Sequence, residues 1–145
     1  MDIARQLALV ELLRTRDFPA ERGGSGTVTG GPGYHLAALS TSEEFWDDDG
    51  SGSGPAAEQY EALGEALAGR LDARWGPAQR FSLWSMRARG MAGEELPEPW
   101  YELSAAVDSL WIWRTENRWT AIGVAHRGAE LPYQLMALIT ETDPP

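Results

Sequence analysis

The chain has no cysteine and no lysine. Without cysteine there is no disulfide, no thiolate metal site and no cysteine nucleophile. Without lysine there is no Schiff-base chemistry and no phosphate loop of the GxxxxGK(S/T) type. All twelve basic residues are arginine, and Asn117 is the single asparagine. This bias, with abundant Ala and Gly, points to a GC-rich bacterial genome. Histidine is scarce too: His35 and His126 only, with no HExxH or GxSxG spacing around them. No apolar run approaches the ~20 residues of a membrane helix. The opening residues, with Asp2, Arg5 and Gln6, do not form a signal peptide, so a cytoplasmic location is expected.

What the chain has in excess is acid. Its formal net charge is −10. Residues 23–69 hold eight acids and no arginine, residues 70–92 five arginines against one aspartate, and residues 93–145 nine acids against three arginines. Nucleic-acid binding rests on neutralising phosphates, so it is not expected of this balance. A basic protein partner fits the charge better, and self-association would have to come from an apolar face; an acidic surface also simply maintains solubility.

At 145 residues the chain corresponds to one domain, 1–145, burying roughly two-thirds of the surface its unfolded form exposes. Residues 2–15 predict a helix with Asp2 as N-cap and Ile3, Leu7, Val10 and Leu13 on its apolar side; Leu9 and Leu12 widen that side and imply deep burial. The glycines of residues 23–33 bracket Thr27-Val28-Thr29. They lack the GxGxxG pattern and predict a flexible hairpin or mobile loop. Residues 34–39 predict a short strand. Residues 55–75 predict the firmest helix: Pro55 suits its first turn, Tyr60, Leu63, Leu67, Leu71 and Trp75 form one stripe, and Gly76-Pro77 ends it. Residues 80–89 predict a strand with Phe81 and Leu83 on one side and Trp84 and Met86 on the other. Residues 100–107 are a short helix or the approach to the next strand.

The C-terminal third, residues 108–141, predicts a three-stranded meander. A three-residue loop, Thr115-Glu116-Asn117, with Asn117 in the left-handed conformation, would set Arg114 opposite Arg118 and Trp113 opposite Trp119. That register aligns Trp111, Trp113, Trp119 and Ala121 on one face and Leu110, Ile112, Ile122 and Val124 on the other. In the third strand Tyr133, Leu135, Ala137 and Ile139 face one way and Met136 and Leu138 the other; a helix over residues 131–138 is the alternative. The fold class expected is α+β: a mixed or largely antiparallel sheet of four to six strands ending in that meander, with helices packed on one face.

Three candidate sites follow. The indoles Trp111, Trp113 and Trp119 would form a protein-binding face, since Trp is enriched at hot spots as well as in cores. His126 and Tyr133, with a carboxylate, would form a small-ligand pocket or an acid–base centre. Asp47, Asp49, Ser51 and Glu58 fall at positions 1, 3, 5 and 12 of an EF-hand calcium loop, with Gly52 at position 6. That match is weakened by Gly54 and Pro55 at positions 8 and 9 and by the lack of a second loop. No metal site with His or Cys spacing and no cofactor is expected. The favoured reading is a non-catalytic protein-binding or inhibitory module that masks a basic partner, its acids steering the encounter.

Overall fold

The computed structural model describes residues 3–25, 27–42, 53–126 and 132–145. The first helix, α1 (Ile3–Thr15), is followed by three strands, β1 (Gly23–Ser25), β2 (Val28–Gly31) and β3 (Tyr34–Thr41). The long helix α2 (Ser53–Trp75) leads to β4 (Gln79–Ser82) and two short helices, α3 (Trp84–Met91) and α4 (Trp100–Ser104). Three further strands complete the chain: β5 (Ser109–Thr115), β6 (Arg118–His126) and β7 (Tyr133–Thr140). All seven strands pair antiparallel in one sheet, in the order β1-β2-β3-β7-β6-β5-β4.

The α+β class is as the pattern implies, but the sheet has seven strands, not four to six. The additional strands come from the glycine segment. Gly31 pairs with Tyr34 across a tight Pro32-Gly33 turn, and Gly33 takes φ 83, the left-handed region where a Cβ is unfavourable. Strands β5, β6 and β7 are neighbours as expected, yet they form the middle of the sheet, because β3 pairs with β7 and β4 with β5. A sheet interior that is apolar on both faces needs cover on both. Accordingly the helices do not sit on one face. One apolar cluster joins α1 and α2 to the sheet through Leu7, Val10, Leu13, Leu67, Leu71, Ile122 and Leu135. The other joins α3 and α4 to the opposite face through Met86, Trp100, Leu103, Leu110, Ile112 and Leu138.

Helix α2 behaves as its stripe implies. Tyr60, Leu63, Leu67 and Leu71 are buried, and Trp75 packs partly against them. Gly76 closes the helix at φ 89, its N–H donating to Asp72 O at 2.8 Å. Gly64 lets the helix approach the sheet closely: a Cβ there would lie 2.8 Å from Trp111 Cζ3. Helix α1 is less enclosed than its composition implies. Leu7, Val10 and Leu13 are buried, but Leu12 remains 54% exposed, since only one side of the helix meets the sheet.

Two elements depart from the sequence reading. The strand expected over residues 80–89 stops at Ser82, and Trp84–Met91 is helical. Trp84 and Met86 therefore do not share a face: Met86 is buried and Trp84 exposed. An alternating run this short is compatible with either period, and here packing against α4 decides. The β5–β6 loop is the second departure. Thr115 pairs with Arg118, so the loop has two residues, Glu116 and Asn117, and Glu116 rather than Asn117 takes the positive φ, 56°. Two-residue loops match the twist of the flanking strands better than the expected three-residue form. The register moves by one, Arg114 faces Trp119, and Trp113 faces Thr120. The expected opposition of two arginines is avoided. Arg118 turns instead to the end of α1, where its guanidinium donates to Leu13 O and Arg16 O at 3.2 and 2.6 Å, carbonyls near the helix's negative pole. In β7 the alternation holds: Leu135, Ala137 and Ile139 face α2, while Met136 and Leu138 face α4.

Candidate functional site

The one-residue change in register separates the three indoles. Trp111 and Trp113 lie on the α2 side, and Trp119 packs on the α4 side. Trp113 is buried; its Nε1 donates to Asp72 Oδ1 and Gly76 O, both at 3.1 Å, and its ring meets Trp75 edge-on at 5.8 Å. Trp119 Nε1 donates to Asp143 Oδ1 at 2.9 Å, and the Arg114 guanidinium lies 5.3 Å from its ring centre. Trp111 is half-buried beneath Arg80, whose guanidinium sits 4.0 Å from the indole centre. The common indole face expected from the longer loop does not form.

His126 and Tyr133 do come together. They are opposite each other in β6 and β7, with ring centres 4.0 Å apart and planes 19° apart. Tyr60 of α2 lies 6.5 Å beyond, and its hydroxyl is 3.0 Å from Ser40 Oγ. Ser42 closes the end of the pair, its Oγ accepting from Tyr133 N and its N–H donating to Tyr133 O, each at 2.8 Å. His126 Nε2 is buried and meets no hydrogen-bonding group among the described residues. The arrangement is a ring stack with serines at its margin. Among the described residues no cluster of three His, Asp or Glu side chains could hold a metal. The calcium motif lies largely outside the described residues; of its members only Glu58 is described, exposed within α2.

The other histidine is buried where β3 meets the end of α1. His35 Nε2 is 3.3 Å from Arg16 O, and its ring lies 5.1 Å from Phe18, which in turn lies under Arg118 at 4.0 Å. Burial holds the His35 pKa below its ordinary value; the nearby Arg118 and Arg16 charges act in the same direction, and the bonds to the Arg16 and Asp17 backbone oppose them. The neutral ring thus serves as a spacer that ties down a helix end.

The surface that sequence reasoning missed is the corner formed by β4 and α3. Trp84 is 70% exposed and Met91 80% exposed, seven residues apart and therefore on one side of the helix. Arg80, Arg87 and Arg89 surround them in the chain. Arg87 is committed to Ser104 O and Asp108 Oδ1, at 2.7 and 3.0 Å, and Arg89 pairs with Glu94. Arg80 donates to Ser109 Oγ at 2.9 Å and has no carboxylate partner among the described residues. Helical spacing of Trp84, Arg87 and Met91 was the signal available, and a strand assignment conceals it.

Elsewhere the surface offers shallow depressions. One of about 280 Å³ is lined by Arg22, Tyr34, Leu36 and Glu102, and one of about 260 Å³ by Arg16, Pro19 and His35 among others. Both fall below the ~300–1,000 Å³ of usual small-molecule sites, while a third of about 380 Å³, along Glu58, Glu61 and Glu65, lies open on the outer side of α2. Among the described residues no helix is long and apolar enough to cross a membrane. No protein-family model matches the chain, and neither curated proteins nor solved structures provide a match.

Proposed function

We propose that the protein is a non-catalytic protein-binding module whose contact surface is the β4–α3 corner. The observation that carries this is the exposure of Trp84 and Met91 on one side of α3, which follows directly on β4, where Arg80 lies over the half-buried Trp111 on the other face of the sheet. An exposed indole and thioether cost solvation that a partner recovers, and Trp and Arg are favoured anchors. The other indoles described above are held by bonds within the chain, Trp113 to Asp72 and Trp119 to Asp143, so they have less to offer a partner. The test is affinity capture from the native host with the wild type and with the Trp84→Ser/Met91→Ser double variant. A protein retained by the wild type and lost by an equally stable variant supports the proposal. An identical retained set, or no retained protein, rejects it.

A second reading has its own observation. Glu58, Glu61 and Glu65 line one exposed side of α2, with Ala57 and Ala62 between them and no arginine paired to them among the described residues. This acidic side would steer a basic protein and give the module an inhibitory role. The small-ligand alternative at His126 and Tyr133 has less behind it, since no described carboxylate is bonded to His126 Nε2.

A further inference from the structure

We propose that β4 is an open docking edge that takes an extended, acidic segment of the partner as an added strand, with Arg80 meeting a carboxylate and Trp84 an apolar side chain. This rests on the reading of the β4–α3 corner as the contact surface and specifies the chemistry of what binds there.

The backbone comes first. Among the described residues strand β4 pairs with β5 alone, through Gln79–Ile112, Arg80–Trp111, Phe81–Leu110 and Ser82–Ser109. The same register continues one residue further, where Leu83 N donates to Asp108 O at 2.9 Å. In an antiparallel pair the bonded positions alternate. Leu83 is bonded towards β5, so Phe81 and Gln79 are as well, and the N–H and C=O of Arg80 and Ser82 point away from the sheet. Among the described residues no backbone group bonds to them. These outward groups are the template that strand addition uses.

Side chains then select what is added. Proteins often guard such an edge with a projecting charge. Arg80 is drawn over the neighbouring strand; its guanidinium lies 4.0 Å from the Trp111 ring centre and donates to Ser109 Oγ. Its guanidinium therefore leaves the edge unblocked, a cation with no carboxylate partner among the described residues of a chain of net charge −10. Planar guanidinium groups favour carboxylates. On the other side of the strand Phe81 is partly buried against the α4 side of the core, and two residues beyond the edge Trp84 offers its indole. A second copy of this chain is a poorer occupant. A two-fold contact through β4 would bring Arg80 of each copy towards Arg80 of the other and would offer neither a carboxylate from the strand itself, Gln79–Ser82.

The experiment uses the whole protein and a fluorescent peptide of alternating glutamate and valine, followed by anisotropy at ~0.1 M salt, where the repulsion of the rest of the chain is screened beyond ~10 Å. Two control peptides accompany it: one with lysine in place of glutamate, and one N-methylated at every residue, which has no N–H to donate to a ladder on either edge. Expected are binding of the glutamate peptide alone, a loss of roughly tenfold in affinity for Arg80→Glu, and slowed amide exchange at Arg80 and Ser82 on peptide addition. Absence of wild-type binding at millimolar peptide overturns the proposal, and so does equal binding of the N-methylated peptide. Those results leave the capture experiment untouched. A partner lost on Trp84→Ser/Met91→Ser but indifferent to Arg80→Glu would mean that the corner binds without strand addition.

Discussion

Asp72 offers the sharpest test of how the core is closed. It lies in the last turn of α2, and its Oδ1 accepts two hydrogen bonds, from Ala78 N at 2.8 Å and from Trp113 Nε1 at 3.1 Å. One carboxylate thus joins the helix, the turn into β4 and the buried indole of β5. Hydrogen bonds to a charged group contribute about 1.5–3 kcal/mol each. Two reductions apply to Asp72→Ala. Trp113 Nε1 keeps Gly76 O at 3.1 Å, so it is not left unpaired. Alanine also improves helix propensity by about 0.6 kcal/mol and removes an anion from the negative end of α2. The net loss expected is about 2 kcal/mol, or a fall in Tm of about 4–8 °C for a chain of this size. Asp72→Asn keeps an acceptor and should lose about half as much. Urea unfolding of Asp72→Ala, Trp113→Phe and the double variant gives the coupling, expected to reach about 1 kcal/mol. Additive losses, or an Asp72→Ala midpoint equal to that of the wild type, would refute the proposed junction.

Three further outcomes follow from packing and titration. Gly123→Ala would place a Cβ 2.7 Å from Val107 Cγ1 and 2.8 Å from Leu110 Cδ2, with Ser109 O at 3.2 Å; thermal unfolding should show a loss of about 1–3 kcal/mol. Trp100 is fully buried with its Nε1 donating to Thr142 O at 2.8 Å, so Trp100→Phe should cost about 1–3 kcal/mol and free the C-terminal residues to limited proteolysis. His35 has a folded pKa below its ordinary value of 6.5, so on acidification the unfolded imidazole takes up its proton before the folded one does. The stability it contributes is present above the unfolded value and is lost as pH falls through 6.5 towards the folded pKa. His35→Phe should therefore flatten the dependence of the urea midpoint over that window; an unchanged slope would show that the ring does not carry it.

Where the sequence was legible, a local period and a local stop signal agreed. The Tyr60–Trp75 stripe and Gly76-Pro77 define α2, and the alternation of Leu135 to Ile139 defines β7. The β5–β6 register was not legible, because both registers set apolar residues opposite one another and Trp flanks the loop on each side. Asn117 tolerates the left-handed conformation, but loop length and strand twist bear more on the register than the preference of one residue, and Glu116 bears the strain. Pairing of Tyr34–Thr41 with Tyr133–Thr140 joins segments about a hundred positions apart, and no local pattern encodes it. The candidate site was missed for a connected reason. Ser82 Oγ accepts from Trp84 N at 3.3 Å where the chain turns from strand to helix, and that short step rotates Trp84 outward.

The charge distribution makes the two binding readings separable by rate. At low ionic strength the screening length approaches ~30 Å, so an approaching segment feels the whole chain, at net −10; near 0.1 M it falls to ~10 Å and the segment feels mainly the corner. An acidic segment bound for Arg80 is thus repelled at long range and attracted at short range. Its association rate should rise between low and moderate salt, while its dissociation rate also rises as the Arg80 contact is screened. A basic partner steered by Glu58, Glu61 and Glu65 should show the opposite: an association rate that falls steeply with salt from the start. Stopped-flow mixing across this range, with the glutamate peptide and then with any captured partner, distinguishes the two. A glutamate-peptide association rate that falls monotonically would mean that its encounter is governed by attraction already at long range. The β4 edge would then lie in a positive field that the net charge does not describe, and the reasoning from net charge would fail.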